Sequence, residues 1–145
     1  MIRGTLLPPG TRYIELMLKA TILISALAFG SFGLFAQDDL TNFQTMMKSA
    51  AGANGAARAA LNSGDTATVS AKAKEMSAAF DGIAAFFKAK GKDDAVKFAM
   101  DASTAAKTAA AATTVDDQKA ALGKVGPNCM GCHGLYRDGS KFKGL

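Results

Sequence analysis

The chain has 145 residues, enough for one domain, and a formal net charge of +5. Aromatic residues make up only 8% of it, tryptophan is absent and alanine is frequent, which favours helices over a β-rich fold. Its lysines are spread along the sequence instead of forming a basic stripe, so the composition argues against nucleic-acid binding.

The first 36 residues have the layout of an export signal. Residues 20–36 are apolar, Lys19 precedes them and small residues end them, as in a secretory peptide. We predict cleavage after Ala36, with Met17 as the alternative start because a complete charged region begins there. An uncleaved membrane anchor is the other interpretation, but an apolar run of 17 residues is short for a span. After cleavage we expect no membrane association.

Residues 37–145 are the predicted mature domain, in which 14 basic and 11 acidic residues leave a net charge of +3. A first helix is predicted over residues 38–61, where apolar and small residues recur at helical spacing. Its inward-facing stripe comprises Leu40, Phe43, Met47, Ala50, Asn54, Ala57 and Leu61. Gly52 and Gly55 weaken this helix, and we expect them to mark a close approach to a neighbouring helix or a cofactor.

A second helix is predicted over residues 66–89 and a third over residues 93–112, with Gly91 as the C-cap between them. The second has the clearest inward-facing stripe of the chain: Val69, Ala73, Met76, Phe80, Ile83 and Phe87. The third has a weaker inner face: Val96, Ala99, Met100 and Ser103. Alanines fill the rest of the third helix, so we expect it to pack closely and to hold less of the core.

The fourth predicted helix opens at Thr114 and ends before Gly139. Its stripe comprises Val115, Gln118, Leu122, Val125, Cys129, Cys132 and Tyr136. Pro127 lies inside this helix, and because proline removes a helical hydrogen bond and clashes with the preceding turn, we predict a kink there. Four amphipathic helices with short links predict an all-α fold, an antiparallel four-helix bundle.

Residues 129–133, Cys-Met-Gly-Cys-His, form the c-type haem attachment pattern. Residues three and four apart share a helix face, so both thiols reach one porphyrin edge while His133 directs a ring nitrogen at the iron. A zinc site needs four ligands, but the chain has two cysteines and one histidine. A redox dithiol expects neighbouring strands, and a plain disulfide leaves His133 unexplained. The pattern predicts one haem c, bound through Cys129 and Cys132 with His133 proximal, and hence a periplasmic protein.

The pentad on the last helix, followed by Tyr136-Arg137 and preceded by Lys-Ala-Ala-Leu at residues 119–122, resembles the cytochrome c′ family, the class II c-type cytochromes. The resemblance covers residues 38–137, although Phe43 stands where many members have arginine. It implies an exported four-helix bundle whose distal residue, four after Phe43, is Met47. Members with methionine there are six-coordinate electron carriers, whereas five-coordinate members bind small gases such as NO and CO.

We therefore expect an electron carrier, not an enzyme, that exchanges single electrons with redox partner proteins and that, like many members, can form a homodimer. The alternative is a five-coordinate gas-binding protein in which Met47 only fills space. Met46 lies about 100° from the inward stripe and is the weaker distal candidate. Arg137 either holds a haem propionate and tunes His133, or is a solvated cation at the helix end.

The remaining large side chains have two interpretations. Four phenylalanines either line the haem or fill the core: Phe80, Phe86, Phe87 and Phe98. We assign Met76 and Met100 to the core, because methionine on a helix stripe usually fills gaps there. Met130 lies between the two cysteines and is predicted to face outward.

Overall fold

In a computed structural model the protein is almost entirely helical, and its structure is described for residues 32–139 and 141–144. Its helices are α1 (Phe32–Ser63), α2 (Thr66–Ala89), α3 (Asp93–Ala111), α4 (Val115–Gly123) and α5 (Val125–Tyr136). Two short strands, β1 (Arg137–Asp138) and β2 (Lys141–Phe142), pair as an antiparallel hairpin. The predicted all-α class is confirmed. The residues after the last helix, for which no regular structure is predicted, form the small hairpin.

Helix α1 begins earlier than predicted, at Phe32, so helical backbone runs through the predicted cleavage point after Ala36. The export-signal prediction otherwise falls on residues 1–31, which lie outside the described residues. The chain divides into two units after Asp39, and every side chain discussed below belongs to the second, Leu40–Leu145. None of the helices in the described part of the chain combines the length and apolar character that a membrane span requires.

Helices α2 and α3 match the predicted bounds closely because local signals start and stop them. The Asp65 carboxylate accepts a hydrogen bond from the Thr68 amide at 2.9 Å and so caps α2. Gly91 adopts φ +65°, the left-handed conformation that ends a helix at little cost only for glycine. The predicted stripe of α2 is buried along its whole length, with Val69 and Ile83 both at 1% exposure or less.

The predicted fourth helix is interrupted at Lys124, which ends α4 and begins α5. The Lys124 amide bonds to Ala121 and Leu122 carbonyls instead of continuing the regular ladder. This break puts Pro127 in the first turn of α5, where an amide hydrogen would have no helical partner. The kink predicted from Pro127 is therefore confirmed, in the stronger form of two separate helices.

Some predicted inward positions are wrong. Leu40 is 37% exposed and Met100 is 47% exposed, so neither belongs to the core. Helix α3 instead turns an alanine face inward: Ala95, Ala99, Ala102, Ala106 and Ala109. Alanine allows closer approach than methionine, which explains why Met100 is left outside. A Cβ atom placed on Gly52 or Gly55 would meet no protein atom within 4 Å, so the predicted close approach of a neighbouring helix at these glycines is also wrong.

Polar links join α2 to α3 and α4. The buried Ser103 hydroxyl of α3 donates to Asp81 of α2 at 2.6 Å, and Lys107 pairs with the same carboxylate at 2.9 Å. The Gln118 amide nitrogen of α4, fully buried, donates to the carbonyls of Thr66 and Ala112 at 3.0 and 3.2 Å. The Gln118 bonds join α4 to the N-terminus of α2 and to the residue that follows α3.

Near the hairpin, aromatic rings join α1, α5 and β2 to α2. The Phe43 ring of α1 stacks on Phe86 with 4.3 Å between centroids and meets Phe142 of β2 edge-on at 5.1 Å. Phe87 packs against Tyr136 at 5.3 Å. The cluster anchors α1, α5 and β2 on α2, so its members at positions 86 and 87 fill the core.

Candidate functional site

An apolar cleft of about 200 Å³ lies between α1 and α5 and is floored by α2 and α3. The residues that line it come from four helices: Met47, Ala50, Ala51, Asn54, Phe80, Ile83, Phe98, Ala99, Ala102, Val125, Asn128, Cys129, Cys132 and His133. The structure thus brings both cysteines, the histidine and Met47 to one cavity.

A second, more polar cleft of about 470 Å³ adjoins the first. It is lined by Gln44, Met47, Lys48, Ala51, His133, Arg137 and Phe142. Met47, Ala51 and His133 line both clefts and therefore lie at their boundary. Arg137 lines only the polar cleft, where its Nε donates to the Gly139 carbonyl at 2.7 Å and keeps the guanidinium near the hairpin turn.

The two neighbouring methionines of α1 have different surroundings. Met46 packs its sulfur directly over Gly82 of α2, where a side chain would collide with it. Met46 lines neither cleft, whereas Met47 lines both. The absence of a side chain at position 82 therefore creates the notch that holds Met46 against α2. Of the two thioethers, the one at Met47 has access to the cavity that contains His133.

The cysteine–histidine segment is held against α3 by two contacts. A Cβ atom on Gly131 would lie 2.5 Å from the Phe98 ring, so this glycine lets α5 lie directly on that side chain. One turn later, the Tyr136 hydroxyl donates to the Asp94 carboxylate at 2.5 Å, which raises the pKa of Tyr136 to about 12. Together these contacts set the position of His133, which lies between them on α5.

Burial raises the pKa of both thiols. Both are free, and burial is the largest cause of the raised pKa of each, which for Cys132 reaches about 11. The nearby Asp94 carboxylate raises the pKa of Cys132 further. Disulfide exchange enzymes need the opposite, a lowered thiol pKa, so the redox-dithiol interpretation loses support.

His133 has the electronic state that a metal ligand needs. Burial, followed by the charge of Arg137, lowers its pKa below the ordinary 6.5. The imidazole is therefore neutral at pH 7 and keeps a lone pair for coordination. Within the described residues no group of three or more His, Cys, Asp or Glu side chains could hold a metal ion.

Several lining residues carry no signal in the sequence. Asn54 and Asn128 bring polar groups into the apolar cleft, and Gln44 and Lys48 line the polar one. Lys48 lies four residues after Gln44, so a helical spacing links them, but nothing local indicates that this face of α1 meets α5. The glycine at position 131, which has no side chain, is the sequence feature that could have indicated close packing of Phe98 against α5.

The donor set and the two clefts fit a covalently attached haem. Two thiols and an imidazole line an apolar cavity, a thioether lines it from α1, and cationic groups line the adjoining cleft where acidic substituents could lie. A porphyrin edge beside Cys129 and Cys132 would be surrounded mainly by carbon atoms. In comparisons with family models, curated proteins and solved structures, no match to this chain was found.

Proposed function

We propose that this protein is a c-type cytochrome, an antiparallel four-helix bundle that carries single electrons between redox partner proteins in the periplasm. Haem would be attached covalently through Cys129 and Cys132. The observation that carries the proposal is that both thiols, His133 and Met47 line a single apolar cleft. The helix pair α4–α5, with its break at Lys124, would act as the fourth helix of the bundle.

Bound haem would supply one iron atom that takes up and releases a single electron. His133 would hold the iron from α5 and Met47 from α1, because both side chains line both clefts. A thioether ligand favours the reduced iron and raises its potential. Phe80 and Ile83 would exclude water from the porphyrin, and a dry environment shifts the potential in the same direction.

The polar cleft would receive the propionates of the haem. Lys48 and Arg137 present positive charge there, and Gln44 offers an amide donor. Arginine pairs with carboxylates in a bidentate manner, which would fix the orientation of the group about the axis set by the cysteines. This division into apolar and polar clefts supports haem over a symmetric apolar ligand.

The absorption spectrum of the ferric protein tests this function. We expect a low-spin spectrum in wild type, a high-spin spectrum in Met47→Ala and no such change in Met46→Ala, whose sulfur packs over Gly82. Met46→Ala is thus a matched control for loss of a neighbouring thioether. A high-spin wild-type spectrum with ready carbon monoxide binding would favour the five-coordinate, gas-binding alternative. Absence of haem from the purified wild-type protein would refute both.

A further inference from the structure

Basic side chains that are distant in sequence gather where the α2–α3 turn meets the C-terminal hairpin. We call this group the basic end: Lys48, Lys90, Lys92, Arg137, Lys141 and Lys143. The Lys90 Nζ lies 5.5 Å from the Phe86 ring centre, and that ring belongs to the cluster containing Phe142, the residue between Lys141 and Lys143. A Cβ atom on Gly144 would lie 3.9 Å from the Lys92 Nζ, so the turn and hairpin meet directly.

In the loaded protein the haem propionates would offset Lys48 and Arg137, which leaves Lys90, Lys92, Lys141 and Lys143 as the outward cations of the basic end. Three carboxylates lie on the same segments, Asp93, Asp94 and Asp138, and one of them accepts the Tyr136 hydroxyl. Within the described residues none of the six cations forms an ion pair.

This end also exposes apolar surface beside the candidate haem site. Leu135, in the last turn of α5, is 52% exposed and stands two residues from Arg137. The polar cleft, which His133 lines, is edged by Lys48 and Arg137. An apolar centre with a charged rim is the usual anatomy of a protein–protein interface. A cationic rim selects an acidic counterpart and speeds its approach.

We propose that the basic end is the docking surface for a redox protein that presents carboxylates around an apolar patch. On docking, one electron passes between that partner and the bound haem, so that one is oxidised as the other is reduced. An anionic membrane would also attract lysines. A protein fits better, because Asp93 and Asp138 lie among the cations and would repel a uniform layer of phosphates, whereas a protein can place its own cations opposite them.

This docking role rests on the proposed function, and charge reversal tests it. The test variant is Lys141→Glu/Lys143→Glu, and the matched control is Lys74→Glu/Lys119→Glu, which changes the charge equally at exposed sites elsewhere. The probe is flavodoxin, an acidic flavoprotein, reduced to its hydroquinone. We expect its electron-transfer rate to the loaded protein to fall about tenfold in the test variant and less than about twofold in the control. Raising the salt concentration should slow the wild type more than the test variant.

Two further measurements separate docking from haem loading. Reduced hexaammineruthenium, a small cationic reagent, should reduce all three loaded proteins, and failure with wild type would refute the proposed function alone. Amide shifts on adding oxidised flavodoxin should map to the hairpin and the last turn of α5, whether or not haem is attached. Equal rates in the test variant and wild type would overturn the docking role, as would shifts elsewhere. Binding only to phosphatidylserine vesicles, lost in the test variant, would reassign the basic end to a membrane.

Discussion

The α2–α3 interface and the space between α1 and α5 are built from similar helices but have opposite character. Helix α3 presents an alanine face towards its neighbours, and a serine–aspartate–lysine link ties it to α2. Between α1 and α5 the side chains leave two clefts, with Met47 and His133 at their boundary. Direct side-chain contacts join the first pair of helices, whereas open space separates part of the second pair.

The difference shows what alanine-rich helices can and cannot do. Alanine brings helices close and buries little area per residue, so a close interface such as α2–α3 relies on contact along its length. A cleft persists where a helix is held by contacts beyond the cavity, as α1 is by Phe43 and Met46 and α5 by Gly131 and Tyr136. The helices are thus braced around the cavity, which favours a preformed site.

The largest effect should come from removing the attachment points in the cleft. Cys129→Ala/Cys132→Ala should abolish covalent haem completely, because no other cysteine exists in the chain. Intact mass of the exported protein measures this, and Met130→Ala, at a position 74% exposed between the two thiols, should retain the haem mass. Haem that stays attached in the double variant would contradict attachment through these thiols.

Replacing one alanine by leucine in each region should affect stability differently, because only the α2–α3 interface is closely packed. Ala106→Leu, at a fully buried position of α3, should lower the free energy of unfolding by about 1–3 kcal/mol, because the packed interface has no room. Ala51→Leu, which points at both clefts, should change it by less than about 0.5 kcal/mol while lowering the haem content. Urea unfolding and the haem-to-protein ratio measure the two effects. Equal destabilisation by both variants would mean that the clefts are also closely packed.

Two substitutions of glycine by alanine should change the free energy of unfolding in opposite directions. Gly131→Ala should destabilise by about 1–3 kcal/mol, because its Cβ would overlap the Phe98 ring. Gly55→Ala should stabilise by about 0.5–1 kcal/mol, because the site is helical and open and alanine loses less backbone entropy on folding. Thermal unfolding followed by circular dichroism reports both. Replacing the ring by a smaller side chain, in Gly131→Ala/Phe98→Leu, should recover part of the lost stability. If no stability is recovered, the overlap with Phe98 is not the cause of the loss.

The smallest effect should be a pH dependence at the α2–α3 interface. The hydrogen bond from Ser103, and then Lys107, lower the pKa of Asp81 below its ordinary 3.8. The folded carboxyl group therefore binds its proton less tightly than the unfolded one, and its stabilising contribution is present above pH 3.8 and lost as the pH falls below it.

Asp81→Asn should accordingly lower the free energy of unfolding at neutral pH, and the difference from wild type should shrink as the pH falls below 3.8. Urea unfolding at several pH values measures this difference. Asp116→Asn, at an exposed site, is the control and should show a smaller loss at neutral pH. A loss that stays constant with pH would assign the effect of Asp81→Asn to packing and not to charge.

Local sequence signals explain why so much of the helical structure could be predicted. Asp65 and Gly91 delimit α2, and the 3.6-residue period identifies its buried stripe, because helix hydrogen bonds join residues only four apart. The cysteine–histidine pattern and the helix break before Pro127 also depend only on residues close together in the sequence. The same period misplaced Leu40 and Met100, because it defines a stripe but not how much of that stripe the neighbouring helices cover.

By itself, the sequence determined the helices, their clearest inward face and a cysteine–histidine pattern that is typical of haem attachment. Only the tertiary structure decided that Met46 packs over Gly82 while Met47 enters the clefts, and that Phe98 lies on Gly131. It also gathered lysines that appear scattered along the chain into one basic end. The physical reason is that backbone hydrogen bonding is local, whereas cavities and surface charge depend on which helices meet.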